Sequence, residues 1–145
     1  MEKLKILFLC TGNSCRSQMA EGFARVLKDE TIEAYSAGVT PTAINLYAIK
    51  VMHEVGIDIS AQRSKDVQEL RDIPFDYVVT VCGHADEHCP TFPGKTKVIH
   101  IGFDDPPTLA ASIKSEKEAL DIYRRVRDEI KEFAEKLPDN LLEQF

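Results

Sequence analysis

Short apolar runs alternate with amphipathic stretches along this chain. The apolar runs predict four β-strands, at 4–9, 32–37, 75–81 and 97–101. The first run is apolar except for Lys5, which is typical of a strand buried on both faces of a sheet. Strands that alternate with helices indicate a parallel sheet with helices on its faces.

Apolar residues at helical spacing predict three helices, at 16–28, 42–55 and 115–137. Gly56 is a suitable end for the second helix, and Ser115 and Glu118 have capping-box spacing at the start of the third. The positions that we expect to be buried are Met19, Phe23, Val26 and Leu27 in the first helix, Ile44, Ala48, Val51, Met52 and Val55 in the second, and Ile122, Val126, Ile130, Phe133 and Leu137 in the third.

These elements predict an α/β fold of one doubly wound domain, residues 1–145. Its four-stranded parallel sheet would have the strand order 2-1-3-4 and be flanked by helices. The boundaries are least certain over 57–74 and 83–95, where the periodicity is weak.

The composition narrows the class of partner. The 145 residues carry a formal net charge of −6, which disfavours nucleic acid and anionic membranes as partners. The longest apolar run, 6–10, is too short to span a bilayer, and no signal peptide is evident. We therefore expect a cytoplasmic monomer. In the reducing cytosol its four cysteines favour catalysis, metal binding or redox cycling over structural disulfides.

The residues between the first strand and the first helix favour an anion site. Residues 10–17 are Cys-Thr-Gly-Asn-Ser-Cys-Arg-Ser, so five residues separate Cys10 from Arg16. A short loop between a strand and a helix turns backbone N–H groups inward around a tetrahedral oxyanion. Gly12 and Asn13 suit the unusual dihedral angles of such a loop. The Arg16 guanidinium can donate hydrogen bonds to two oxyanion oxygens.

The same positive surroundings would favour the thiolate form of Cys10, the candidate nucleophile, and Ser14 or Ser17 could donate a hydrogen bond to its sulfur. The alternative is a buried cysteine followed by an ordinary turn, which does not explain the neighbouring residues together. The candidate anion-binding residues are Thr11, Gly12, Asn13, Ser14, Cys15, Arg16 and Ser17.

Two further cysteines lie beyond the third strand. If the order is 2-1-3-4, Cys10 and Cys82 follow neighbouring parallel strands. Such strands lie about 4.8 Å apart, within the Cα separation of about 4.4–6.8 Å that a disulfide needs. The alternative is a zinc site of Cys82, His84, His88 and Cys89, although adjacent His88 and Cys89 would hardly reach one tetrahedral ion together.

The Cys-x5-Arg-Ser loop resembles that of the low-molecular-weight phosphotyrosine phosphatase superfamily, and the resemblance extends over nearly the full length. The loop alone does not distinguish the phosphatases of this superfamily from its arsenate reductases, because phosphate and arsenate share shape and charge. The segments 81–83, 86–90 and 102–106 are similar to the thioredoxin-coupled arsenate reductases, which function in arsenic detoxification.

This resemblance implies a role for each thiol. Cys10 would attack arsenate, Cys82 would attack Cys10 and release arsenite, and Cys89 would attack Cys82 to give a disulfide that thioredoxin reduces. Asp105 would be the general acid, with Asp104 as the neighbour that could be mistaken for it. The resemblance implies arsenate as substrate, thioredoxin as reductant and no cofactor.

Several relatives hold potassium beside the anion loop, at positions matched here by Asn13, Glu21 and Ser36. Arg63 and Lys65 depart from that pattern. We expect no metal, because one of these cations would replace potassium; alternatively, both side chains point into solvent.

Two other functions stay open. A phosphotyrosine phosphatase of this superfamily usually has tyrosines after the Asp-Pro, whereas this chain has Pro107 and Thr108. Weak phosphatase activity is still expected, because nucleophile, loop and acid are retained. A thiol redox sensor without turnover is the second alternative, and it would not need Asp105.

Overall fold

The computed structural model describes residues 2–92 and 94–143. One four-stranded parallel sheet has the order β2-β1-β3-β4, as the sequence predicted. Its strands are β1 (Leu4–Cys10), β2 (Ile32–Gly38), β3 (Tyr77–Thr80) and β4 (Lys97–His100). The central pair matters for the site, because Leu9 of β1 lies in register with Thr80 of β3. The ends of β1 and β3 therefore lie side by side.

Helices pack around the sheet. The first, α1, packs on β1 and β2 and contacts the long C-terminal helix, which also contacts the second helix. The helices are α1 (Arg16–Leu27), α2 (Leu46–Glu54), α3 (Gly83–Glu87), α4 (Pro106–Ala110), α5 (Glu116–Glu135) and α6 (Asp139–Leu142), with a short 3₁₀ helix at Val67–Leu70.

The core forms between the central strands and the helices. Residues 6–9 of β1 are fully buried, as expected of a strand covered on both faces. In α5, Val126 and Ile130 are fully buried, and the hydroxyl of Ser115 accepts a hydrogen bond from the backbone N–H of Glu118 (3.3 Å). The predicted N-terminal cap of this helix is thus confirmed.

Three of the positions predicted to be buried are exposed, and three more, Ile44, Ile122 and Phe133, are only partly buried. Val26 and Leu27 are 49% and 41% exposed, because the last turn of α1 lines an open surface cavity together with Leu137 and Pro138. Val55, at the C-terminal cap of α2, is 36% exposed. Helical spacing shows which residues share one face of a helix, but it does not show how far along the helix the rest of the protein covers that face.

The second helix starts at Leu46, four residues later than predicted. The N–H groups of Thr40 and Thr42 donate to the carbonyls of Thr11 and Gly12 (both 2.8 Å), so this segment is held against the Cys10 loop. Asn45 then caps α2, its side chain accepting from the N–H of Ala48 (3.1 Å).

Candidate active site

The loop after β1 is held in place by the segment that follows β2. The backbone N–H groups of Val39, Thr40, Thr42 and Asn45 donate in turn to the carbonyls of residues 10, 11, 12 and 14, at 2.8–3.1 Å. With these carbonyls facing outward, the loop can direct its N–H groups inward. Asn13 has φ of 48°, the left-handed conformation expected of it.

Glycine is needed at two places for close approach of the backbone. A Cβ on Gly12 would lie 2.9 Å from Oγ1 of Thr42. A Cβ on Gly38, at the end of β2, would lie 2.7 Å from the carbonyl oxygen of Thr11. Glycine is therefore needed at position 12 for close packing and not for a positive φ. The expectation of unusual dihedral angles holds for Asn13 and not for Gly12.

The sulfur of Cys10 receives two hydrogen-bond donors. The backbone N–H of Asn13 lies 3.2 Å from it, and the hydroxyl of Ser17 lies 2.8 Å from it. The side-chain amide of Asn13 donates to that hydroxyl oxygen (2.9 Å), which leaves the hydroxyl proton of Ser17 for the sulfur. Of the two serines predicted for this contact, the structure places Ser17 there.

Arg16 lies at the mouth of the loop beside Asp105. Its guanidinium donates to the carbonyl of Phe103 (3.0 Å) and lies 3.4 Å from the Asp105 carboxylate. Asp104 instead pairs with Arg125 (3.1 Å). The two neighbouring aspartates are thereby separated, and only Asp105 faces the loop.

These side chains enclose a cavity of about 260 Å³. It is lined by Cys10, Thr11, Gly12, Ser14, Cys15, Arg16, Asp105 and Pro107. A small tetrahedral oxyanion fits a space of this size.

Cys82 lies next to the loop, at the N-terminal end of α3. Its sulfur is 3.3 Å from the hydroxyl oxygen of Thr11 and accepts from the backbone N–H of Ala85 (3.4 Å). The side chain is buried. The adjacency of β1 and β3 thus brings the second thiol to the edge of the anion cavity, as the strand order predicted.

Cys89 lies two residues beyond the end of α3 and is half-buried. Burial raises the pKa of the Cys89 thiol, and the negative charge of Asp86 raises that pKa further.

Burial likewise raises the pKa of Cys15 well above its ordinary range, with the charges of Asp105 and Cys10 acting in the same direction. All four cysteines are free thiols. Because its pKa is raised, Cys15 is a poor nucleophile despite its place in the loop.

The Lys65 side chain turns toward Glu21, whereas the Arg63 side chain does not. The Lys65 ammonium lies 3.7 Å from Glu21 and donates to the carbonyl of Arg63 (2.6 Å), with 14% of its side chain exposed. Burial lowers the pKa of Lys65, and the Glu21 carboxylate opposes that shift. Ser36 donates to Glu21 (2.6 Å), while Arg63 is 65% exposed and pairs with Glu69. The alternative prediction, that both side chains point into solvent, is therefore correct for Arg63 and wrong for Lys65.

Other residues that support the loop were missed from the sequence. The side-chain amide of Gln18 donates to the carbonyl of Asn13 (3.0 Å), and the hydroxyl of Ser64 donates to the carbonyl of Gly12 (3.1 Å). No motif marks these polar residues, because their role depends on contacts that form only in the folded chain.

The zinc alternative gains no support from the geometry. Within residues 2–92 and 94–143, no group of three or more histidine, cysteine, aspartate or glutamate side chains is arranged to hold a metal. The rings of His84 and His88 instead pack against each other, with centroids 4.3 Å apart.

No helix in the described part of the chain is long and apolar enough to cross a membrane.

Comparison with known proteins identifies the family of this chain. The model of the low molecular weight phosphotyrosine protein phosphatase family matches residues 5–144, and the chain belongs to this family. Within the family it groups with arsenate reductases. It is 48% identical over 139 residues to the arsenate reductase of Bacillus subtilis, and 46% identical over 139 residues to that of Halalkalibacterium halodurans; each alignment covers 93% of this chain and 98% of the relative.

The fold comparison matches solved arsenate reductases and solved phosphatases alike. An arginine phosphatase from Geobacillus stearothermophilus superposes with a TM-score of 0.73 at 28% identity, covering 97% of this chain and 94% of that one. A solved arsenate reductase in a phosphate-binding state superposes with a TM-score of 0.71 at 32% identity, covering 92% of this chain and 95% of that one. The recognition made from the Cys10 loop and from the later segments is confirmed at the level of the family and its arsenate reductases.

Proposed function

We propose that this chain reduces arsenate to arsenite in the cytoplasm, with thioredoxin as the final reductant, and so contributes to arsenic detoxification. The observation that carries the proposal is the pairing of an anion loop around Cys10 with a second free thiol, Cys82, 3.3 Å from Thr11 of that loop. Phosphate-ester hydrolysis needs only the first of these features. A two-electron reduction needs both.

The first step is attack of the Cys10 thiolate on arsenic(V). A sulfur–arsenic bond forms, and one arsenate oxygen leaves as water after protonation. The backbone N–H groups of the loop and the Arg16 guanidinium stabilise the oxyanion. Asp105, which lies 3.4 Å from Arg16 at the mouth, supplies a proton to the departing oxygen.

The next two steps transfer two electrons from thiols. The Cys82 thiolate attacks the sulfur of Cys10, and the electron pair of the sulfur–arsenic bond passes to arsenic, which leaves as arsenite(III). The Cys89 thiolate then attacks the sulfur of Cys82 and displaces the Cys10 thiolate. The resulting Cys82–Cys89 disulfide is reduced by thioredoxin, which becomes oxidised.

A coupled assay tests the proposal. Purified protein with arsenate, thioredoxin, thioredoxin reductase and NADPH should oxidise NADPH continuously and accumulate arsenite. A redox sensor would oxidise at most a stoichiometric amount of NADPH, and a phosphatase would oxidise none while hydrolysing a phosphate ester. Absence of steady NADPH oxidation with a thioredoxin known to be active would refute the proposed function.

We expect Asp105→Asn to slow formation of the sulfur–arsenic bond about 10²- to 10⁴-fold, because the amide cannot protonate the departing oxygen. Rapid-quench measurement of arsenite release reports the loss. The matched control is Asp104→Asn, whose carboxylate pairs with Arg125 and should matter little. Alkylation of Cys10 by iodoacetamide should stay near the wild-type rate in both variants. If alkylation fell in parallel with turnover, Asp105 would be a structural residue.

Potassium should change activity by less than about threefold, because the Lys65 ammonium beside Glu21 repels a second cation. Titration of potassium against sodium at constant ionic strength measures the effect. Lys65→Ala removes the ammonium and should make activity depend on potassium. A large activation of the wild-type protein that is specific to potassium would contradict this role for Lys65.

A further inference from the structure

A buried hydroxyl, that of Thr80, joins α3 to the end of the sheet. Thr80, the last residue of β3, is fully buried, and its register partner on β4 is His100. Its hydroxyl oxygen lies 2.9 Å from Nδ1 of His100 and 3.3 Å from Oδ1 of Asp86 in α3. The Thr80 hydroxyl donates its one proton to Asp86, so its oxygen is left to accept from His100 in the tautomer that carries a proton on Nδ1.

Helix α3 depends on such contacts for its stability. It has five residues, far fewer than a helix needs to persist on its own propensity. Among the described residues, two side-chain hydrogen bonds reach it: the Cys82 sulfur at its N-terminal end and the Thr80–Asp86 bond. A disulfide to Cys10 redirects the sulfur of Cys82. The Thr80–Asp86 bond is then the remaining side-chain hydrogen bond between α3 and the sheet among the described residues, beside the packing of the buried Ala85.

We propose that Thr80, Asp86 and His100 form a latch that holds α3 wound and thereby limits how fast Cys89 reaches the Cys10–Cys82 disulfide. Thr80 and Asp86 act as positioning residues, since neither touches the reacting atoms. The kinetic half of this proposal rests on the proposed thiol relay. In this wound state burial raises the pKa of Cys89, and the nearby Asp86 charge raises it further.

Hydrogen exchange of the reduced protein tests the latch without arsenate. Thr80→Val removes the hydroxyl but keeps the branched shape, and the amides of residues 85–88 should exchange about 2- to 10-fold faster, the factor expected for one lost hydrogen bond. Thr80→Ser should restore the wild-type rate. Thr31→Val, which removes a hydroxyl bonded to the carbonyl of Lys28, is the matched control. Equal exchange in α3 for Thr80→Val and Thr31→Val would overturn the latch.

A single pulse of arsenate tests the kinetic half. In Thr80→Val, arsenite release should stay within about twofold of wild type, while conversion of the Cys10–Cys82 disulfide to Cys82–Cys89 becomes about 2- to 10-fold faster. Peptide mapping of quenched samples measures both. Slowing of both steps together would indicate general damage and overturn the positioning role. If even the wild-type protein released no arsenite, the proposed function would fail, whereas hydrogen exchange would still decide whether the latch exists.

Discussion

Replacing Cys10 by serine is expected to lower arsenate reduction by more than about a thousandfold. A serine hydroxyl is not ionised at neutral pH, so it is a far weaker nucleophile than a cysteine thiolate. The coupled NADPH assay measures the loss directly.

Anion binding should survive this change. The backbone N–H groups of the loop and the Arg16 guanidinium remain, so Cys10→Ser should still bind inorganic phosphate in equilibrium dialysis. Circular dichroism and thermal unfolding serve as controls for the fold. Arsenate reduction at a wild-type rate in this variant would assign the nucleophile to a different residue. Loss of phosphate binding with an intact fold would show that the sulfur itself holds the loop in shape.

The parallel sheet was predictable because each strand is a short apolar run and the first two crossovers have a helical pattern. The crossover between β3 and β4 has no such pattern, and its helix α3 was not predicted. The position of Cys82 beside the loop agrees with the predicted order, in which Cys10 and Cys82 follow the carboxyl ends of neighbouring parallel strands. The hydrogen-bond donors to the Cys10 sulfur could also be predicted from the sequence, because they are local. The sulfur of Cys10, for example, is bonded by residues three and seven positions away.

The parts that were missed depend on contacts between distant residues. The segment before α2 has the apolar spacing of a helix, but its N–H groups bond to carbonyls of the Cys10 loop about 30 positions earlier, and the helix starts later. Arg63 and Lys65 carry the same charge two positions apart, yet only Lys65 reaches Glu21. The Thr80–His100 pair likewise joins two strands whose register no local pattern specifies.

Replacing Cys89 by serine should stop the enzyme after one cycle. The variant retains Cys10, Cys82 and Asp105, so it should release one arsenite per molecule and then stall with Cys10 joined to Cys82. Peptide mapping by mass spectrometry after one arsenate pulse identifies the trapped disulfide. Cys82→Ser is the matched comparison: it should stop earlier, before arsenite is released, because nothing displaces arsenic from Cys10.

The stall follows from where the structure places Cys89. Cys82 caps the N-terminal end of α3 and Cys89 lies just beyond its C-terminal end, seven residues later. At about 1.5 Å per residue, their separation along the axis is about 10 Å, beyond the Cα range of about 4.4–6.8 Å for a disulfide. The segment must therefore unwind before the second disulfide forms, and serine at position 89 cannot complete the exchange. Sustained turnover of Cys89→Ser with thioredoxin as sole reductant would show that thioredoxin reduces the Cys10–Cys82 disulfide directly, and Cys89 would then have no place in the relay.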